Sequence, residues 1–184
     1  RFTFATVLDL GAGTGKLTRQ LVALGADVVA VEPGDAMRAV LEDAVPQARA
    51  LAGSAEQIPL PDASVDLVTA GQAFHWFRVD EALAEMHRVL RPGGGFALLW
   101  NHWDDDEPLT HELNELLHRL RPEGIHEGPD DWKAVFAASP LFANPDEQTF
   151  RHGERLDVDT IAGRVASVSV VAAASEEERA RTDA

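Results

Sequence analysis

At 184 residues the chain has the length of one domain, enough to bury about two-thirds of the surface its unfolded form exposes. With 45% apolar and 26% charged residues it reads as an ordinary globular protein. The absence of cysteine excludes disulfides and thiolate metal sites, and the absence of tyrosine excludes phenolate chemistry. The net charge of −15 repels phosphate backbones, and beyond the neighbours Arg88 and Arg91 the basic residues are scattered, so no nucleic-acid partner is expected. No apolar run approaches the roughly 20 residues of a bilayer span and no signal-peptide pattern opens the chain, which reads as a cytoplasmic enzyme with no membrane partner.

The first hundred residues alternate strand-like and helix-like patterns, the mark of an α/β fold with a parallel sheet. Residues 5–10 form a short β-branched run ending at glycines. A helix is predicted over 14–24, with Leu17, Leu21 and Leu24 at helical spacing and Gly25 as its stop. Residues 27–31 are a nearly continuous apolar strand, as expected where both faces are covered. Asp35 is placed to cap a helix through Leu41, and 49–51 make a brief third strand. The fourth strand is 65–70, and a helix over 79–90 turns Leu83, Met86, Val89 and Leu90 inward. Pro92 and three glycines turn the chain into a fifth strand at 96–100. Beyond Asn101 an acidic patch at 104–107 leads into an amphipathic helix over 108–120, then a Pro/Gly-rich loop over 121–129. A short helix about Trp132 and Phe136, a strand at 147–152, a helix over 157–173 and a further helix start at 176–179 complete the reading.

Gly11-Ala12-Gly13-Thr14-Gly15 lies between the first strand and the first helix. Glycines there permit left-handed backbone and close ligand approach, and the helix N-terminus favours an anionic group. Such a loop binds either dinucleotide phosphates or the carboxylate end of S-adenosylmethionine, or is a turn that binds nothing. Glu32, at the end of the second strand, is placed to accept hydrogen bonds from both hydroxyls of a ribose. The dinucleotide fingerprint has its third glycine where this chain has Lys16, so the spacing disfavours a nicotinamide-dependent oxidoreductase.

The stretch Val7-Leu8-Asp9-Leu10 followed by Gly11–Gly15 resembles motif I of the class I S-adenosylmethionine-dependent methyltransferases. Residues 31–37 resemble the segment that follows it in that family, residues 53–60 its loop before the fourth strand, and residues 89–95 its turn before the fifth. The ordered likeness covers about 5–101 and is closest to the small-molecule, type 11 branch. It implies a Rossmann-like, doubly wound, mostly parallel sheet flanked by helices, with S-adenosyl-L-methionine as cofactor. By position it implies that Asp9, Gly11, Gly13 and Gly15 hold the methionine part and Glu32 the ribose. Met37 and the backbone around Pro33 pack on the adenine, and Ala55 offers its amide to an adenine nitrogen, with Glu56 beside it. Gln72 faces the methionine end. The family commonly has aspartate at the position of Ser54; a serine hydroxyl can accept the same bond from the adenine amino group, more weakly.

Methyl transfer from a sulfonium is an in-line displacement, so positioning and water exclusion supply much of the acceleration. Residues 72–77 follow the carboxyl end of the fourth strand, where open α/β sheets form their ligand crevice. Phe74, His75 and Trp76, with Phe77, are candidate walls for a small acceptor, and His75 is the candidate general base if the acceptor must lose a proton. His75 as a helix cap and the aromatics as core are the competing reading. His102 and Trp103, after the fifth strand, are a second candidate wall. His87, His102, His111 and His118 lack a compact ligand spacing, and the acids at 104–107 read as a solvated run, so no metal is expected.

The whole chain is read as a single methyltransferase domain, 1–101 binding the cofactor and 102–184 forming the acceptor-side and C-terminal half. The family's helices before motif I are missing and only one strand follows the fifth, so the sheet is expected to fall short of seven strands. Besides a methyltransferase, a nicotinamide-dependent oxidoreductase and a catalytically silent cofactor-binding domain remain open on the sequence.

Overall fold

The structure is a computed structural model that describes residues 5–104, 106–120, 129–143 and 145–166. The chain divides into two compact units, Arg1–Asn101 with Gly128–Pro145, and His102–Glu127 with Asp146–Ala184.

The first unit is built on five parallel strands, β1 (Thr6–Leu10), β2 (Asp27–Val31), β3 (Arg49–Leu51), β4 (Val65–Gly71) and β5 (Leu90–Leu99), in the order β3-β2-β1-β4-β5. Helices α1 (Lys16–Ala23), α2 (Asp35–Ala44), α3 (Val79–Val89) and α5 (Pro129–Ala138) flank this sheet, and a 3-10 turn spans Phe74–Trp76. The apolar strands are buried because both faces are covered: Val7, Leu8, Leu10, Val28, Ala30, Val31 and Val68 are at or near zero exposure. On α3 the buried positions Ala82, Leu83, Met86 and Val89 fall on one helical face.

Three expectations shift. Helix α1 starts at Lys16 rather than at residue 14, because the glycine loop runs on to Gly15, whose left-handed backbone stops a helix there. Its one buried residue is Thr18, while Leu24 is exposed; the polar side chain is inside because its hydroxyl has a buried partner. Asp35 does not cap α2 but is its first helical residue, with Gly34 before it and Arg38 as its ion-pair partner. Strand β5 begins at Leu90: Val65 pairs with Leu90 and Leu67 with Gly95, so 91–94 loop out opposite Asp66 alone. The predicted glycine turn thus survives as a bulge inside the strand, pinned by Arg91 Nη1 donating to Asp66 Oδ1 at 2.6 Å.

An aromatic cluster holds α5 to the sheet of the first unit. Phe136 stacks on Phe96 with centroids 4.6 Å apart and on Phe74 at 5.8 Å, and Phe142 meets both Phe96 and Phe136 edge-on.

In the second unit α4 (Pro108–Leu120) and α6 (Val158–Ala166) are helical as predicted, the latter opened by Asp157, whose Oδ1 accepts the Thr160 amide at 2.8 Å. The expected strand at 147–152 is absent. Among the described residues that segment pairs with no strand, Phe150 is 82% exposed, and Arg151 reaches Asp104 and Asp106 instead. One apolar residue among polar neighbours supplies too little burial to hold a ladder. Residues 121–128 of the predicted loop, 167–173 of the predicted last helix and the helix start at 176–179 lie outside the described residues. No helix among the described residues is long and apolar enough to cross a membrane.

Phe136 is only 1% exposed. Truncation to alanine is expected to cost about 3–5 kcal/mol in urea unfolding; a loss below about 1 kcal/mol would contradict its place in the aromatic cluster.

Candidate functional site

The order of the sheet reverses at β1, with β2 on one side and β4 on the other, so the connections leaving β1 and β4 run to opposite faces and open a crevice at their carboxyl ends. The glycine loop lies at that edge. Gly11, Gly13 and Gly15 have φ of 69°, 56° and 82°, and the Gly11 and Ala12 amides both donate to the Val31 carbonyl, at 2.9 and 3.1 Å. A Cβ on Gly11 would lie 2.7 Å from the Ala73 Cβ and 3.5 Å from the Phe77 ring, so the loop packs directly on the segment after β4. A Cβ on Gly13 would meet nothing within 4 Å. The first glycine is needed by packing, and the second leaves backbone facing open space.

Glu32 is 4% exposed, and each carboxylate oxygen accepts a backbone amide at 2.8 Å, Oε2 from Gly13 and Oε1 from Gly34. The acid thus joins the loops that follow β1 and β2. Pro33 and Met37 are both exposed, and a Cβ on Gly34 would lie 3.3 Å from the Met37 methyl, which places Met37 beside Glu32 and Gly34.

Asp9 lies beneath the loop at 1% exposure, on the next-to-last position of β1. Thr18 Oγ1 donates to its Oδ2 at 2.6 Å and Thr69 Oγ1 to its Oδ1 at 3.3 Å. Burial pushes its pKa up to about 6 against the opposing pull of the two threonines. Neither Thr18 nor Thr69 is distinguished in the sequence; a threonine one turn into a helix that follows a strand carboxylate is the pattern that would have found the first.

Beyond β3, Ser54 and Gln57 exchange backbone hydrogen bonds across a tight turn, and Ala55 at its tip is buried. Glu56 Oε1 accepts the Arg78 amide at 2.8 Å and so caps α3, the role in which His75 was the competing candidate. Burial raises the Glu56 pKa, but the Arg78 amide, the Ser54 hydroxyl and the Arg78 charge outweigh it and hold the carboxyl below its usual range. Ser54 and Glu56 are therefore engaged with each other and with α3. The far end of this loop is fastened by Arg88, which donates to the carbonyls of Ile58 and Leu60 at 2.9 and 2.8 Å, while Glu85 accepts the Ile58 amide at 2.8 Å.

After β4, Gln72 has φ of 55° without being glycine, a conformation that costs on the order of 1 kcal/mol. Its amide donates to the Leu99 carbonyl and its side-chain Nε2 to the Asn101 carbonyl, both at 2.9 Å, tying the ends of β4 and β5 together. Phe74, one of the predicted walls, is buried in the aromatic cluster, edge-on to Phe77 and Trp100, because its side of the 3-10 turn faces the core. His75 is half-buried with its ring 5.1 Å from that of Trp76, and Trp76 is 53% exposed. Trp103 belongs to the second unit, where its carbonyl accepts from Asn114 at 3.4 Å. The structure therefore brings together Asp9, Gly11, Gly13, Gly15, Glu32, Pro33 and Met37 around the ends of β1 and β2, with Ala73 and Phe77 against the loop. Among the described residues no group of three or more His, Asp or Glu is placed to hold a metal ion.

Two stability measurements test this geometry. Gly11→Ala combines left-handed strain with a clash against the Ala73 Cβ and is expected to lower Tm well beyond Gly13→Ala, where strain alone costs about 1–2 kcal/mol; equal losses would contradict the packing of Gly11 on Ala73. For Asp9 the folded pKa lies above the unfolded value, so its stabilising protonation is fully present below pH 3.8 and is lost as pH rises through about 6. Relative to Asp9→Asn, the wild-type chain is expected to lose about 2 kcal/mol of unfolding free energy between pH 4 and pH 7; parallel stability profiles would contradict it.

Comparison with known proteins agrees with this arrangement. Residues 8–98 match the family model for a methyltransferase domain, of type 11. An uncharacterized methyltransferase of Mycobacterium tuberculosis is 54% identical over 113 residues, covering 61% of this chain and 46% of that protein. A malonyl-(acyl-carrier protein) O-methyltransferase of Methylococcus capsulatus is 43% identical over 99 residues, 50% of this chain and 36% of that protein. The crystal structure of the YcgJ protein of Bacillus subtilis aligns with a TM-score of 0.62 at 27% identity, over 96% of this chain and 81% of that one. The chain spans under half the length of the two sequence relatives. The matched span includes the glycine loop and Glu32, and the chain belongs to the class I S-adenosylmethionine-dependent methyltransferases, in the type 11 branch.

Proposed function

We propose that the chain binds S-adenosylmethionine along the carboxyl edge of β1 and β2 and directs its methyl group to a small-molecule acceptor held at residues 72–77. The observation that carries the reading is the pairing of Gly13 with Glu32: open space over the glycine backbone, and a buried carboxylate 2.8 Å from its amide. A nucleoside needs both, a backbone it can approach and an acceptor for its diol. The residues present fit that group.

When bound, S-adenosylmethionine supplies an electrophilic methyl on a sulfonium, which a nucleophile displaces in line. The chain's own part is placement. Glu32 uses its remaining lone pairs for the ribose hydroxyls, since each oxygen has spent one on an amide. Gly11, Gly13 and Gly15 give the methionine end its close backbone, with Asp9 below them as a carboxylate that a cationic amino group favours in its charged form. Ala55 presents its amide and Met37 its exposed thioether to the adenine, and Ser54 and Glu56 hold that loop to α3. Gln72 stands at the methionine side of the crevice in its left-handed conformation.

The acceptor side rests on Trp76 and His75. An exposed tryptophan beside an imidazole offers an apolar face and a titratable nitrogen, which suits a small acceptor whose hydroxyl, amine or acid proton must leave. The acidic surface argues against a nucleic-acid acceptor. The acceptor named for the Methylococcus relative does not transfer, because only 36% of that protein is matched.

Calorimetric titration with S-adenosylhomocysteine and with NAD separates this reading from an oxidoreductase. The expected result is binding of S-adenosylhomocysteine with no heat from NAD, and the reverse pattern would overturn the cofactor assignment. With an acceptor found by release of S-adenosylhomocysteine across a panel of small acids, amines and phenols, Trp76→Ala is expected to raise the acceptor KM about tenfold or more while leaving the cofactor KM within about twofold.

A further inference from the structure

We propose that Arg38 is a positioning residue for the nucleoside site, holding the main chain at Glu32 so that one carboxylate ties Gly13 to Gly34 and stays available to the ribose. The proposal rests on the reading that Glu32 takes the ribose hydroxyls.

The backbone of β2 is fully paired up to its end: the Val31 carbonyl receives Gly11 and Ala12, and the Glu32 amide donates to the Leu51 carbonyl at 3.1 Å. The Glu32 carbonyl is the first beyond the ladder, and Arg38 Nη1 donates to it at 3.0 Å. The same guanidinium gives Nη2 to Asp35 Oδ1 at 2.5 Å, and the Arg38 side chain is only 18% exposed. Arg38 sits one turn inside α2, and its own amide donates to the Gly34 carbonyl at 2.9 Å. Its planar fork therefore clamps the corner between β2 and α2 from the helix side.

That corner sets where the Glu32 carboxylate stands. Both of its hydrogen bonds run to backbone amides, from loops that follow two different strands. A small shift of the Glu32 backbone lengthens one bond or the other, because the amides lie on separate segments and cannot move together. Arg38 does not neutralise the carboxylate; its ion pair is with Asp35. Its action on the site goes through geometry, so its removal is felt by whatever the carboxylate holds. A glutamine at 32 cannot substitute, since its NH2 would face a backbone N–H where an acceptor is required.

The test uses the intact chain with Arg38→Met, which keeps the aliphatic stem and helix propensity, and Arg38→Lys as the conservative variant. In the ligand-free protein the amide protons of Gly13 and Gly34 are followed by NMR. Binding is measured for S-adenosylhomocysteine and for its 2′-deoxy analogue. The expected result is upfield movement of at least one of the two glycine amides in Arg38→Met, and about tenfold weaker binding of S-adenosylhomocysteine with less than about threefold change for the 2′-deoxy analogue. Arg38→Lys, which has no fork, is expected to recover part of the loss. Unmoved glycine amides, or equal weakening for both ligands, would overturn the proposal and leave the cofactor reading intact. A wild-type chain that binds both ligands equally removes the ribose from Glu32 and overturns both. If Arg38→Met fails to fold, the same ratio read on Arg38→Lys decides.

Discussion

Strand β1 hydrogen-bonds β2 along one edge and β4 along the other, and everything the site contains follows from that reversal. The chain must leave β1 and β4 toward opposite faces, so a gap opens where their carboxyl ends diverge. Into that gap the sequence puts a loop whose first glycine has no room for a side chain and whose second has room for a ligand. Opposite it stands one buried carboxylate, satisfied by backbone amides rather than by a cation. A charge kept out of water in this way is costly unless its hydrogen bonds are held in place, which is why the surrounding corner is so heavily fastened.

The fastening shares a pattern. Arg38 takes the first free carbonyl after β2, Gln72 takes the Asn101 carbonyl beyond β5, Glu56 takes the first amide of α3, and Arg88 takes two carbonyls of the loop before β4. Each is a polar side chain that satisfies backbone groups where a regular element ends and its own ladder no longer does so. These contacts lie in the loops a bound nucleoside would touch, so the groups that keep those loops rigid are the groups that would set affinity. The strain at Gln72 belongs to the same economy: an unfavourable backbone held by bonds to the neighbouring strand.

Much of this was legible in the residues. Apolar runs bounded by glycine place all five strands, and Gly11–Gly15 with Glu32 point to the edge where the crevice lies. What local pattern could not show was partnership across the fold. Thr18 reads as a polar residue on an amphipathic helix, yet it is buried because Asp9 lies beneath it. Phe74 reads as a pocket wall because it follows β4, yet α5, far along the chain, brings Phe136 to stack on it. The segment 147–152 reads as a strand, but a strand also needs a neighbour, and that is not written in the segment itself. The bulge at 91–94 was visible as a turn; that β5 resumes pairing on both sides of it was not, because Leu90 finds Val65 only in the folded sheet.

The most direct test of the account is a crystal structure of the chain grown with S-adenosylhomocysteine. One continuous ligand is expected along the carboxyl edge, its ribose hydroxyls within hydrogen-bonding distance of Glu32, its adenine between Met37 and Ala55, and its homocysteine end over Gly13 toward Gln72. A ligand bound elsewhere, or a ribose turned away from Glu32, would contradict it.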